Sequence, residues 1–311
     1  MFKYGKFVVL LQKIVAMKTL CIFNPEHDLC LANGDKNYVP PRSAMQFADR
    51  CHNVMGIMYD ACTTSIYSVS KKILDGLDDY EIVPWGWNAM LKQSLLRIGY
   101  SENRLPNDGF IDFVRKMQNR TSLLPLLTES VLVKRISEVE TLHSKYENLV
   151  LKAPWSGSGR GIHLIREKIS ENDCTWTTKI IDEQGCVVVE PFRQIDMEFA
   201  LEYNNQKFVG YSLFSSQSCV YNSNILLFDC EIEDLINHKT SKLEQKRCQL
   251  EQWLQAEIFP FYKGPLGVDM YIDKSGILYI SEMNLRHTIG HLAHAFLLRN
   301  PEKHGERFSM R

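Results

Sequence analysis

The chain has 311 residues, with 36 Lys and Arg against 37 Asp and Glu and a formal charge of −1 at pH 7. That balance supplies no broad cationic surface and speaks against bulk electrostatic binding to nucleic acid. Its 45% hydrophobic and 23% charged residues are ordinary for a soluble globular protein of two or three lobes.

The nine cysteines are scattered, odd in number and contain no C-x-x-C pair. They predict reduced, mostly buried thiols in a cytoplasmic protein rather than a zinc ribbon or a disulfide framework. At the start, Gln12 and Lys13 interrupt the only early apolar stretch, so residues 1–17 read as an N-terminal extension and not as a signal peptide. No run of about 18 apolar residues occurs, so no membrane span is expected.

Over residues 18–115, apolar runs alternate with helical patterns: TLCIF, SAMQFADRC, VMGIMY, TTSIYSVSKKILDGL, YEIVPWG and WNAMLKQSLLRIGY. The alternation predicts βαβ units around a parallel sheet, in which ligands meet the loops at the strand C-terminal ends. FNPEHDLCLANG is such a loop, and it offers Asn24, Glu26, His27 and Asp28 as substrate contacts. The alternative is that Asn24 or Asp28 caps a helix and His27 is solvated. PWGWN, at the end of another strand, is read as core packing.

Residues 116–150 read as a helix, a short strand and a second helix. NLVLKAP and GIHLIRE then form a hairpin around Gly157-Ser158-Gly159-Arg160-Gly161, with Lys152 on the strand before it. Glycines let backbone N–H groups approach phosphate oxygens, and the lysine adds a positive charge beside them. The motif is neither a Walker loop, since no lysine follows the last glycine, nor a Rossmann fingerprint, since a strand follows it.

GCVVVEPF is a buried strand, MEFALEYNNQKFVGYSLFS two strands with a turn at Asn204-Asn205, and TSKLEQKRCQLEQWLQAEIFPFY a helix. GPLGVDMYIDKSGILYISEMN is a hairpin turning at Lys274-Ser275-Gly276. It sets Asp269 opposite Glu282, and Asn284 shares a face with Glu282 because strand side chains alternate. Two carboxylates and a carboxamide oxygen are a hard-oxygen set suited to Mg²⁺. RHTIGHLAH carries His287, His291 and His294; His287 is a candidate substrate contact, and the other two read as packing or surface groups.

LKAPWSGSGRGIHLI, VVVEPF, MEF and GVDMYIDKSGILYISEMNLRH occur in the order and spacing of the ATP-grasp superfamily, which this chain resembles over about residues 110–295. The resemblance implies an α+β fold of two lobes holding ATP between them, after a Rossmann-like domain. The corresponding bounds are 18–115 for that domain, 116–190 for the first lobe and 191–311 for the second. It implies ATP and Mg²⁺, or Mn²⁺ in its place, as cofactors. Lys152 and, more loosely, Arg120 would contact phosphates. Ser156, Gly157, Ser158, Gly159 and Gly161 would belong to a loop closing over them. Glu190, Pro191 and Phe192 would form the adenine-reading hinge, Glu198 would hold the ribose, and Asp269, Glu282 and Asn284 would bind the metal.

Gly267 stands where D-alanine ligases carry a catalytic arginine, which argues against that branch. Arg286 instead resembles the arginine of the carboxylase-like branch and is expected to stabilise the transferring phosphoryl group or a substrate carboxylate. The implied activity is a ligase joining a carboxylate to an amine through an acyl-phosphate, with small-molecule partners and, as in many members, a homodimer. A phosphotransferase and a non-catalytic ATP sensor are the alternatives. Specificity would lie in Asn24–Asp28, Arg42 and the residues near Arg286.

Overall fold

The computed structural model describes residues 17–156, 161–217 and 220–310. Residues 1–16 of the expected extension, three of the predicted loop residues (Gly157, Ser158 and Gly159) and Cys219 lie outside them.

The chain opens with strand β1 (Lys18–Ile22), helices α1 (His27–Asn33) and α2 (Arg42–Cys51), strand β2 (Cys62–Thr64), a short helix α3 (Lys71–Leu74), strand β3 (Tyr80–Pro84) and helix α4 (Ala89–Arg97). β1 pairs in parallel with β2 on one side and β3 on the other, as the alternation predicts. Two details differ. VMGIMY is not a strand: its first four residues end a 3-10 helix, His52–Ile57, and the strand comes later, at Cys62–Thr64. TTSIYSVSKKILDGL forms only four residues of helix after Ser70, because its first half is β-branched and serine-rich. FNPEHDLCLANG is loop only to Glu26; α1 then runs to Gly34, whose φ of 78° supplies the left-handed cap.

Helix α5 (Asp108–Met117) follows, started by the Asn107 side chain, which accepts from Phe110 N–H. The helix expected after it is a 3-10 turn, Arg120–Leu123. Then come β4 (Val131–Val133), α6 (Ile136–Tyr146), β5 (Leu149–Lys152), β6 (Ile162–Ile165), α7 (Glu171–Gln184) and β7 (Val187–Pro191). These strands make an antiparallel sheet in the order β4-β7-β5-β6, and β5 with β6 is the hairpin read from the sequence.

The remaining strands are β8 (Ile195–Asn204), β9 (Lys207–Gln217) and β10 (Val220–Ile225), followed by helices α8 (Asp229–Lys239) and α9 (Leu243–Glu257). The chain closes with β11 (Leu266–Asp273), β12 (Leu278–Asn284), α10 (Ile289–Arg299) and β13 (Arg307–Phe308). They form a six-stranded antiparallel sheet, β12-β11-β8-β9-β10-β13. Its first hairpin turns at Asn205 and Gln206, both at positive φ, one residue later than predicted, because Asn204 still pairs with Lys207. α8 and α9 cover one face through Ile232, Ile236, Leu250 and Leu254, which join Phe199, Leu201 and Tyr203 of β8 in the largest core.

Among the eight described cysteines, all free, Cys21, Cys30 and Cys186 are buried, while Cys62, Cys230 and Cys248 are exposed. The thiols are therefore not mostly buried: the exposed three lie at an edge strand and on helices α8 and α9, outside any core.

Candidate active site

The β11–β12 hairpin places Asp269 opposite Glu282, as the spacing predicts, and sets Gly267 opposite Asn284. A bulge follows Asp269, and the Asn284 amide donates to Asp269 Oδ2 at 3.3 Å. Burial comes first, and the Glu282 and Glu202 carboxylates second, in holding the Asp269 carboxyl well above its usual range. A site that crowds carboxylates in this way is short of positive charge.

Two cations meet β12, Lys152 from β5 of the four-stranded sheet and Arg120 from the 3-10 turn after α5. Lys152 Nζ lies 2.8 Å from Glu190 Oε2 and 3.5 Å from Ser281 Oγ. Arg120 Nη2 lies 2.8 Å from Glu282 Oε1, while its Nη1 donates to Ala153 O at 2.5 Å and to Ser156 Oγ at 2.7 Å. The base of the glycine loop is closed by Ala153 N–H donating to Gly161 O at 2.8 Å. Gly161 has to be glycine: a Cβ there would sit 2.3 Å from Ser156 Cβ.

In the expected adenine-reading segment, the Glu190 side chain is taken by Lys152 and by Ser130 Oγ, 3.1 Å from Oε1. Phe192 N–H donates to Asn148 O, and Pro191 O accepts from Arg193. Glu198 lies one strand in from the hairpin and accepts from Ser216 N–H and Oγ at 2.8 and 2.9 Å; burial outweighs these bonds and raises its pKa.

The parallel-sheet part of the chain enters the site at the start of α1. Asp28 grips Arg286 with both oxygens, at 3.2 Å to Nε and 2.9 Å to Nη2, and Arg286 Nη1 donates to His287 O. Burial works against that guanidinium, but Asp28, then Glu282 and Asp269, raise its pKa above the ordinary value. Asn24 exchanges two hydrogen bonds with the Gly86 backbone, and neither it nor Asp28 caps α1. His27 is not solvated: its ring is fully buried against Gly86, and burial pushes its pKa down to about 4. His287 is buried between Tyr59 and Trp85, with Nε2 3.1 Å from the Tyr59 hydroxyl; burial, then His291 and Arg286, drive its pKa well below the ordinary value. Trp85 is core, as read.

Several residues at the site carry no sequence signal. Gln118 donates to Asn284 Oδ1 and accepts from Leu285 N–H, pinning the end of β12 from α5's C-terminus. Glu202, wholly buried on β8, accepts from Ser212, Thr288 and His291, all at 2.9 Å, and so anchors the turn that carries Arg286 and His287. His291 is thus an ion-pair partner, not mere packing, whereas His294 lies 3.3 Å from Asp229.

No protein-family description matches the chain, and no curated protein matches it. Solved structures do. The biotin carboxylase of Campylobacter jejuni, in complex with an ATP analogue, aligns over 95% of this chain and 72% of its own, with a TM-score of 0.55 and 14% identity. D-cycloserine synthetase aligns over 92% of this chain and 99% of its own, with a TM-score of 0.54 and 11% identity. The biotin carboxylase domain of Hydrogenobacter thermophilus 2-oxoglutarate carboxylase, with MgADP and bicarbonate, covers 89% of this chain and 66% of its own at a TM-score of 0.50 and 15% identity. The fold is the ATP-grasp fold.

The two antiparallel sheets come together where Lys152 and Arg120 meet Ser281 and Glu282. The residues present suit the ligands of an ATP-grasp fold. Asp269, Glu282 and Asn284 offer oxygen donors of the kind Mg²⁺ or Mn²⁺ takes, and the raised pKa of Asp269 is what a divalent cation would reverse. Arg120 Nε is buried without a hydrogen-bond partner, a spare donor for a phosphate oxygen. No helix among the described residues is long and apolar enough to cross a membrane.

Proposed function

We propose that this chain is an ATP- and Mg²⁺-dependent ligase that joins a carboxylate to an amine through an acyl-phosphate. The observation that supports it most is the meeting of a lysine from β5 and an arginine from the 3-10 turn after α5 with Ser281 and Glu282 of β12, where Asp269 lies opposite Glu282 and holds Asn284. Phosphoryl transfer needs charge neutralisation and positioning more than covalent help, and these residues supply both.

In this reading Lys152 and Arg120 bind the phosphates, and Asp269, Glu282 and Asn284 hold the metal, which supplies charge neutralisation at the transferring group. Ser156, Gly161 and the residues between them exclude water from an intermediate that water would hydrolyse. Arg286 keeps its fork on Asp28 and its Nη1 on His287 O, and acts on the site through its charge. The domain bounds 18–115, 116–190 and 191–311 belong to the same proposal, as do cytoplasmic location, a homodimer and small-molecule partners.

The test is release of ADP and Pi from MgATP in the presence of pooled amino acids and small carboxylic acids, against a blank without them. Pi release that requires both a carboxylate and an amine supports the ligase. ADP without Pi replaces it with a phosphotransferase, and nucleotide binding with no turnover replaces it with a sensor.

A further inference from the structure

The first domain holds a buried carboxylate that the phosphoryl-transfer site does not use. In the order β2-β1-β3, the chain leaves β1 for a neighbour on one side and then crosses to the other. The crevice beyond the carboxyl ends of such strands is where open parallel sheets bind ligands. Glu26 lies at that end of the sheet, at the close of the loop after β1, and is 2% exposed. Its Oε1 accepts from the hydroxyl of Tyr67, in the loop after β2, at 2.7 Å, and its Oε2 has no hydrogen-bond partner. Ser65 arranges that loop: its Oγ donates to Asp49 and accepts from Tyr67 N–H, turning the phenol toward Glu26.

The charge around Glu26 is one-sided. Asp28, Glu190, Glu202 and Glu282 each face a cation, respectively Arg286, Lys152, His291 and Arg120. Among the described residues Glu26 faces none: the ionisable groups acting on it and on Tyr67 are Asp49 and Cys30, both acids. Burial, which is the main cause, pushes the Glu26 carboxyl up to about 7. A buried carboxylate oxygen left in this state costs free energy unless the group takes up a proton or a ligand completes it.

We infer that Glu26, with Tyr67, forms a subsite for a primary ammonium group of a substrate. This rests on the ligase reading, since Asp28, two residues on, leads directly to Arg286 and the phosphoryl-transfer end. An ammonium is small, carries its charge at one atom and presents three donors, which matches one free carboxylate oxygen beside a phenol. It can belong to the amine substrate or to an amino acid that also supplies the carboxylate.

The test is calorimetric titration of the full chain, with and without MgADP. The probes are the twenty common amino acids, ethylamine, ethylenediamine and 1,4-diaminobutane, each beside the analogue whose amine is a hydroxyl. At least one amine probe is expected to bind. Its affinity should fall about 10- to 100-fold in Glu26→Gln and by a similar factor for the hydroxyl analogue, the loss of a charge-assisted hydrogen bond. Tyr67→Phe should lose about threefold to tenfold, and it carries the test if Glu26→Gln does not fold. Binding by amino acids but not by plain amines places the ammonium on the carboxylate substrate; the reverse places it on the nucleophile. The inference is overturned if no amine probe binds, if hydroxyl analogues bind as well, or if Glu26→Gln binds as tightly as the wild type. Failure of MgADP to bind would instead sink the ligase reading, while Glu26-dependent amine binding without nucleotide would stand.

Discussion

Replacing Glu202 by Gln probes the buried pair that carries the Arg286 turn. Glu202 Oε2 is 2.9 Å from His291 Nδ1, and the same carboxylate accepts from Ser212 and Thr288. Burial alone would raise the Glu202 pKa and lower that of His291. Their mutual attraction and hydrogen bonds outweigh it, so Glu202 falls below 4.5 and His291 rises above 6.5. Glutamine keeps the volume but not the charge. His291 can then shed its proton, so the cost stays at the low end of the about 3–5 kcal/mol for breaking a buried pair. Three charge-assisted bonds become neutral ones at about 1 kcal/mol each, a loss of about 3 kcal/mol.

With an unfolding entropy of about 2.1 cal/mol/K per residue, a chain of 311 residues loses about 5 °C in Tm. The effect should depend on pH. The His291 contribution is full below 6.5 and fades as pH rises through its elevated folded-state pKa; the Glu202 contribution is full above 4.5 and fades as pH falls through its depressed one. Melting followed by circular dichroism should therefore show the largest gap between wild type and Glu202→Gln from about pH 4.5 to 6.5, narrowing toward pH 9. A gap constant from pH 5 to 9 would refute the charged pair. So would a Glu202→Gln/His291→Gln double variant whose loss equals the sum of the singles within about 0.5 kcal/mol.

Gly290→Ala should be destabilising by about 1–3 kcal/mol despite the better helix propensity of alanine, because its Cβ would lie 1.9 Å from Glu202 Oε1 and 2.3 Å from Ser212 Oγ. An unchanged melting temperature would contradict that packing. Lys152→Ala should weaken MgADP binding about 10- to 100-fold by calorimetry, and an unchanged affinity would remove the phosphate contact. Glu282→Gln, at a partly exposed position, should melt within about 2 °C of wild type yet lose Mg²⁺-dependent ADP release, so an active variant would break the metal assignment.

What the sequence alone could determine was local. Asp269 faces Glu282 because strand alternation and a Lys274-Ser275-Gly276 turn set that register within one hairpin. Lys152 precedes the glycine loop for the same reason, and the parallel sheet follows from the strand–helix alternation. Where local signals were mixed the reading slipped. VMGIMY is apolar enough for a strand but becomes a 3-10 helix around Gly56. The polar strand β10, YNSN at its centre, and helix α8 left no clear period to read.

The electrostatics of the site were decided only by tertiary structure. Arg286 meets Asp28 across 258 residues, Gln118 meets Asn284 across 166, and Lys152 meets Ser281 across 129. Nothing periodic links such positions. They are brought together by the docking of three sheets, and which carboxylate ends up with a cation, and which, like Glu26, without one, depends on that docking rather than on any neighbour in the chain.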